Sequence, residues 1–148
     1  MKKIISSSAV LLILFLLSGC SSSGSGNYGQ QYQLNKTWIL QNLGGKTADN
    51  SNFPNGLPWM TLDVGAASMT GNNGCNSMTG GIHASGNKII FTNIASTRMY
   101  CDGVDDQKFT DALLKANDWA IEGDRLFIEY GEVVLAVFKE GSAPETGN

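Results

Sequence analysis

The feature that most limits how this chain can fold is its division into short apolar runs by glycine-containing turns. Trp59 to Val64 sets the pattern, with Met60, Leu62 and Val64 on one face and Thr61 and Asp63 on the other. That is the period of a half-buried strand. Thr37 to Leu43, carrying Trp38, Ile39 and Leu40, reads as the first strand and stops at Gly44-Gly45; Lys46 to Pro58 reads as a polar loop. A strand beginning at Met69 follows, then Ile82 to Ala84, Lys88 to Thr92 and Ser96 to Tyr100. Trp119 to Glu122, Arg125 to Tyr130 and Glu132 to Lys139 read as a three-strand meander turning at Gly123-Asp124 and Gly131. Val133 to Phe138 is apolar throughout, which predicts a strand covered on both faces.

One segment has a different period. Phe109, Ala112, Leu113 and Ala116 stand at i, i+3, i+4 and i+7, the stripe of an amphipathic helix. Asp102, Asp105 and Asp106 lie before or within its first turn and Lys115 lies in its last, each where the helix dipole favours that charge; Asn117 is the expected stop. Many strands and one helix predict a mainly β (α+β) fold: an antiparallel, barrel-like sheet with one α-helix packed against it.

The N-terminus carries an address. Lys2 and Lys3 precede the apolar run Ala9 to Leu17, which is shorter than the ~20 residues a membrane-spanning helix needs. Leu17-Ser18-Gly19-Cys20 resembles a bacterial lipobox. The resemblance implies that residues 1–19 are a removed signal peptide and that Cys20 is the site of lipid attachment. At about 0.8 kcal/mol per buried methylene, two or three acyl chains hold a protein stably to a bilayer. Ser21 to Gln33 has no charge and no apolar period, so residues 20–33 read as a flexible tether with a reach of ~20 Å. The 106 residues from Leu34 to Lys139 suffice for one domain, and 140–148 read as a disordered tail. The expected location is the bacterial cell envelope, lipid-anchored, on the outer membrane facing the periplasm.

Charge narrows the partners. Without Lys2 and Lys3 the chain has 8 Lys+Arg against 13 Asp+Glu, a net charge of −5. That balance argues against nucleic acid, and against electrostatic attachment to anionic lipid. The expected membrane link is the lipid alone.

Assigning Cys20 to lipid leaves Cys75 and Cys101 as an even pair. A disulfide would close a 26-residue separation and stabilise the fold by roughly 3–4 kcal/mol in the chain-entropy model. Two buried free thiols are an alternative. A metal site with His83 is another, although the close Cys-x-x-Cys spacing of zinc sites is missing. Gly71-Asn72-Asn73-Gly74-Cys75-Asn76 with Gly80-Gly81 is glycine-dense, yet it lacks the Gly-Lys-Ser/Thr of a phosphate-binding loop and reads as tight turns. His83, the single histidine, has no Gly-x-Ser-x-Gly nucleophile motif to serve. Asp102, Asp105 and Asp106 lack calcium-loop spacing. Trp38, Trp59 and Trp119 read as core residues, with a ligand cavity as the alternative. No catalytic residue, metal or cofactor is expected.

Trp38 after Leu34, Gly74-Cys75-Asn76 with Gly80, Ser96-Thr97-Arg98-Met99-Tyr100-Cys101, and the closing Ile121-x-Gly123-Asp124-x-Leu126 together resemble the META domain of HslJ-type bacterial lipoproteins. Lys36, Ser77 and Ile82 depart from the glycine, arginine and aromatic common in that family. The resemblance spans Leu34 to about Lys139. It implies a small antiparallel barrel-like fold in envelope proteins linked to heat-shock or antibiotic stress, with no established catalytic residues. Cys75 and Cys101 fall inside its two signature segments, and Ser96, Thr97 and Arg98 mark a candidate partner-binding surface. The expected function is that of a lipid-anchored, non-catalytic envelope domain that binds a protein partner or supports envelope integrity under stress. A carrier of a small apolar ligand is the alternative, and an envelope hydrolase built on His83 is a third reading.

Overall fold

The computed structural model describes residues 29–144. A 3-10 helix, η1 (Gln30–Leu34), leads into β1 (Thr37–Leu43), β2 (Lys46–Thr47), β3 (Trp59–Asp63), β4 (Ser68–Asn72), β5 (Ser77–Ser85) and β6 (Lys88–Ser96). After α1 (Asp106–Lys115) come β7 (Asp118–Glu122), β8 (Arg125–Tyr130) and β9 (Val133–Gly141). Cys20 and the signal region lie outside the described residues.

The strands form one nine-stranded antiparallel sheet in the order β2-β1-β3-β4-β5-β6-β7-β8-β9. It closes on itself because β1 also pairs with β9, from Thr37↔Gly141 to Leu43↔Ala136. Closure spares β1 and β9 an unpaired edge. Inward-facing positions fill the ring: Trp38, Leu40, Met60, Ile82, Ile128 and Phe138 are each fully buried. Trp119 is also buried and Trp59 is half-buried, so the tryptophans serve packing. None of them borders the clefts beside α1 or beside the β5–β6 hairpin.

The ring is weakest between β6 and β7, where Lys88↔Asp118 is the single paired position. Along the rest of β6 the cover comes from α1, which also packs on β1, opposite β6 in the ring. Phe109 and Leu113, the helix's apolar stripe, are fully buried, and Phe109 meets Phe138 edge-on with ring centroids 6.0 Å apart. Asp105 stands at the N-cap without a capping hydrogen bond; its carboxylate pairs with Lys108 at 2.7 Å instead. The helix ends one residue before the expected stop, with Ala116 as C-cap.

The two ends of β1 are about 20 Å apart at ~3.3 Å per residue. At the first, the Trp38 indole N–H donates to Leu34 O (3.0 Å) and Asn35 Oδ1 accepts the Val64 N–H (2.8 Å), which fixes where the chain enters. At the other, α1 lies beside Leu43 and Gly44. The β4–β5 turn is on that second side, because Asn72 pairs with Trp59 and Trp59 with Ile39.

Five sequence expectations change. Gln30 to Gln33, assigned to the tether, are wound into η1, whose Leu34 is buried beneath Trp38. The polar loop 46–58 contains the short strand β2. The segment Ser96 to Tyr100 is not a strand: β6 ends at Ser96 and the next four residues are irregular. Val133 to Phe138 is not covered on both faces, since Val133 and Val134 at the hairpin remain 60% and 40% exposed. Finally, Glu140 and Gly141 belong to β9, opposite Trp38 and Thr37, rather than to a tail.

Candidate functional site

The β4–β5 turn is built from asparagine side chains. Asn72 Oδ1 accepts the Gly74 N–H (2.7 Å), while Asn73 Oδ1 accepts the N–H groups of Cys75 (3.1 Å) and Asn76 (2.7 Å). Asn73 N–H closes the turn on Asn76 O at 3.0 Å. Such bonds replace the backbone partners a tight turn cannot supply. Gly74 has φ +90°, and a Cβ there would lie 2.6 Å from Phe53 Cδ1. Only glycine meets both conditions.

This turn holds the segment that follows β6. Asn76 is 3% exposed, and its side chain treats Met99 as a strand partner. Its Oδ1 accepts the Met99 N–H (2.7 Å) and the Thr97 hydroxyl (2.9 Å), and its Nδ2 donates to Met99 O (3.2 Å). The Thr97 N–H donates to Ser77 O at 3.1 Å. Cys75 and Cys101 are joined by a disulfide with Cα atoms 5.8 Å apart. The pairing therefore excludes two free thiols and a shared metal for these cysteines.

Cys75 and Asn76 are buried, but the residues that the clamp presents are not. Arg98 is exposed and takes part in none of the ion pairs among the described residues. Met99 is 61% exposed and Tyr100 89%. Large apolar side chains left in solvent on a fixed backbone mark interaction sites, because little ordering remains to be done on binding. Of the expected surface, Ser96 ends β6, Thr97 is spent on the clamp, and Arg98 is free to act. Sequence reasoning missed Met99 and Tyr100, which it had placed in a strand, and missed the role of Asn76.

The other candidates do not converge. His83 sits exposed on β5 opposite Ile90 of β6. Asp102, Asp105 and Asp106 lie around the start of α1, and among the described residues no group of three or more His, Cys, Asp or Glu is placed to hold a metal ion.

The family model of the META domain matches residues 30–142. No curated protein is significantly similar. Solved structures share the fold. A protein from Burkholderia xenovorans, determined by NMR, has a TM-score of 0.62 at 18% identity, covering 96% of this chain and 99% of its own. A crystal structure of a DUF4847-family protein from Bacteroides vulgatus has a TM-score of 0.57 at 15% identity, covering 76% and 96%.

Proposed function

This chain belongs to the META domain family, and we propose that it is a lipid-anchored, non-catalytic envelope protein that binds a protein partner through Arg98, Met99 and Tyr100. The observation that carries the reading is the contrast between a covalently and hydrogen-bonded clamp and the exposed triplet it holds out. Fixing a backbone costs roughly 1–2 kcal/mol per residue, and here folding has already met that cost. A partner suited to the triplet offers an apolar hollow for Met99 and Tyr100 with a carboxylate near its rim for Arg98. Anchoring through Cys20 would place the encounter beside a membrane. The filled interior supports this reading over a carrier with a central ligand cavity.

The test is site-specific photo-crosslinking in intact cells, with the probe at Tyr100 and, as control, at Glu122. A discrete adduct from position 100 only, abolished by Arg98→Glu and weakened by Cys20→Ala, is expected. Identical adducts from both positions would refute the assignment. Turnover of an ester or peptide by the purified domain, abolished by a single substitution, would replace it with an enzyme.

A further inference from the structure

The segment between β6 and α1 is held unevenly along its length. Thr97 and Met99 are fixed by hydrogen bonds to Ser77 and Asn76. From Tyr100 to Val104 the fixings are of another kind. Among the described residues the one hydrogen bond there is internal, from the Tyr100 hydroxyl to Asp102 Oδ1 at 3.3 Å. Backbone bonding resumes at Asp105, whose N–H donates to Asn52 O (3.4 Å). What ties Tyr100 down on its C-terminal side is therefore the disulfide at Cys101. Val104, packed against the core, is the next fixed point.

The two cysteines are placed differently. Cys75 is 6% exposed, whereas Cys101 is half-buried. A thiolate arriving from solvent therefore has the easier approach to Cys101, and access is one of the factors that set the rate of thiol–disulfide exchange. The Cys75 sulfur lies 3.4 Å from Met99 O. In the disulfide it has no proton to give, but as a thiol it is a weak donor aimed at that carbonyl. Opening the bridge thus adds a tie at Met99 while it removes the tie at Cys101.

We propose that the Cys75–Cys101 disulfide is a redox switch on the presented triplet: opened by a dithiol, it frees Tyr100 while Met99 stays clamped. One thiolate of the dithiol attacks Cys101 Sγ, and Cys75 leaves and takes up a proton. The second thiolate then attacks the sulfur of the first, and Cys101 leaves and is protonated in turn. The dithiol ends as a disulfide, the two cysteines as thiols, and two electrons have passed to the protein. The ring stays shut, since β1 and β9 close it without the bridge. A freed Tyr100 must be ordered again at each encounter, which should weaken partner binding about tenfold, or ~1.4 kcal/mol. The regulatory consequence rests on the protein-partner reading; the selective release of Tyr100 does not.

The experiment uses the chain from residue 20 onward with Cys20→Ala, which leaves Cys75 and Cys101 as its two cysteines. Dithiothreitol should open the bridge faster than the slowest core amides exchange, that is, without global unfolding. In the reduced protein the heteronuclear NOE values of Tyr100 and Cys101 should fall, while the Met99 amide keeps its hydrogen-exchange protection. Reduction only at the rate of unfolding, a Tyr100 as ordered as before, or loss of protection at Met99 as well would each overturn the proposal. A second arm works in intact cells, with the photo-probe at Tyr100 and the bridge removed by Cys75→Ser with Cys101→Ser. Adduct yield should drop about tenfold, and an undiminished yield would overturn the switch. No adduct even with the bridge intact would sink the partner reading and the regulation built on it, while the NMR result still decides whether Tyr100 is released.

Discussion

Asn76 does more for this molecule than any other polar side chain. It satisfies three hydrogen-bonding groups in a segment more than twenty residues away, from a side chain that is itself buried. Removing it strands the Met99 N–H and C=O. Asn76→Ala should therefore cost about 2–3 kcal/mol in urea unfolding, at roughly 1 kcal/mol per net hydrogen bond plus desolvation. The Met99 amide should lose its hydrogen-exchange protection while β8 keeps its own. Asp49 is a smaller case of the same economy. Its carboxylate takes the Ser51 hydroxyl and the Ser51 N–H, and the Asn52 N–H adds to these, which together hold its pKa below 3.8. A depressed carboxylate pKa stabilises the fold above the unfolded value, and that contribution disappears as pH falls through the folded value. An NMR titration should place Asp49 below the ordinary aspartate value. Its backbone carbonyl accepts the Phe53 N–H (2.8 Å), so the same turn seats the ring that Gly74 must clear. The motif Gly74-Cys75-Asn76 was visible in the sequence, but its purpose was not. A side chain bonding a distant backbone leaves no local period to read.

Among elements, the strands with one buried face were the most legible. β1 and β8 fall at the bounds expected between their glycine turns, and the alternation of Trp59 to Val64 becomes β3, with Met60 and Leu62 buried. The helix was equally clear from its stripe. Legibility failed where a segment's neighbours, rather than its own residues, decide its environment. Val133 to Phe138 of β9 is apolar throughout, yet Val133 and Val134 stand 60% and 40% exposed at the hairpin. Ser96 to Tyr100 looks extended, and it is the clamp that takes it out of the sheet. The seam between β6 and β7 was invisible to sequence. There Asp118, 7% exposed, accepts from Lys88 Nζ and from Asn87 Nδ2 (3.2 Å), joining the two strands where one backbone pairing would otherwise act alone. Asp118→Ala should cost about 1.5–3 kcal/mol, the range for hydrogen bonds to a charged group. Lys88→Ala should cost less than about 1 kcal/mol, since that side chain is 63% exposed and its pairing is screened by water. Thermal unfolding of both variants checks the asymmetry, and equal losses would contradict it.

For the whole molecule, the disulfide joins the two signature segments across 26 residues of chain. Cys75→Ser with Cys101→Ser should lower stability by roughly 3–4 kcal/mol on the loop-entropy account. The altered protein should keep its far-ultraviolet circular dichroism, because the ring closes through β1 and β9 without help from the bridge. Crosslinking from position 100 should fade under the same change if the presented geometry matters. Fold class was readable from period. A barrel-like sheet was expected from many strands and one helix, and its closure and register came only with the structure.

The chain enters the domain at one end of β1, while the triplet lies toward the other. A body moored at one pole sweeps its far pole through a shell whose radius is tether length plus barrel length. With the mooring proposed at Cys20, the triplet would travel farthest and spend least time against the bilayer. Tether length then sets the local concentration of the triplet at a target without altering affinity. Deleting residues 22–27 should leave binding to a purified partner unchanged in solution and reduce its capture in cells wherever that partner stands off the membrane.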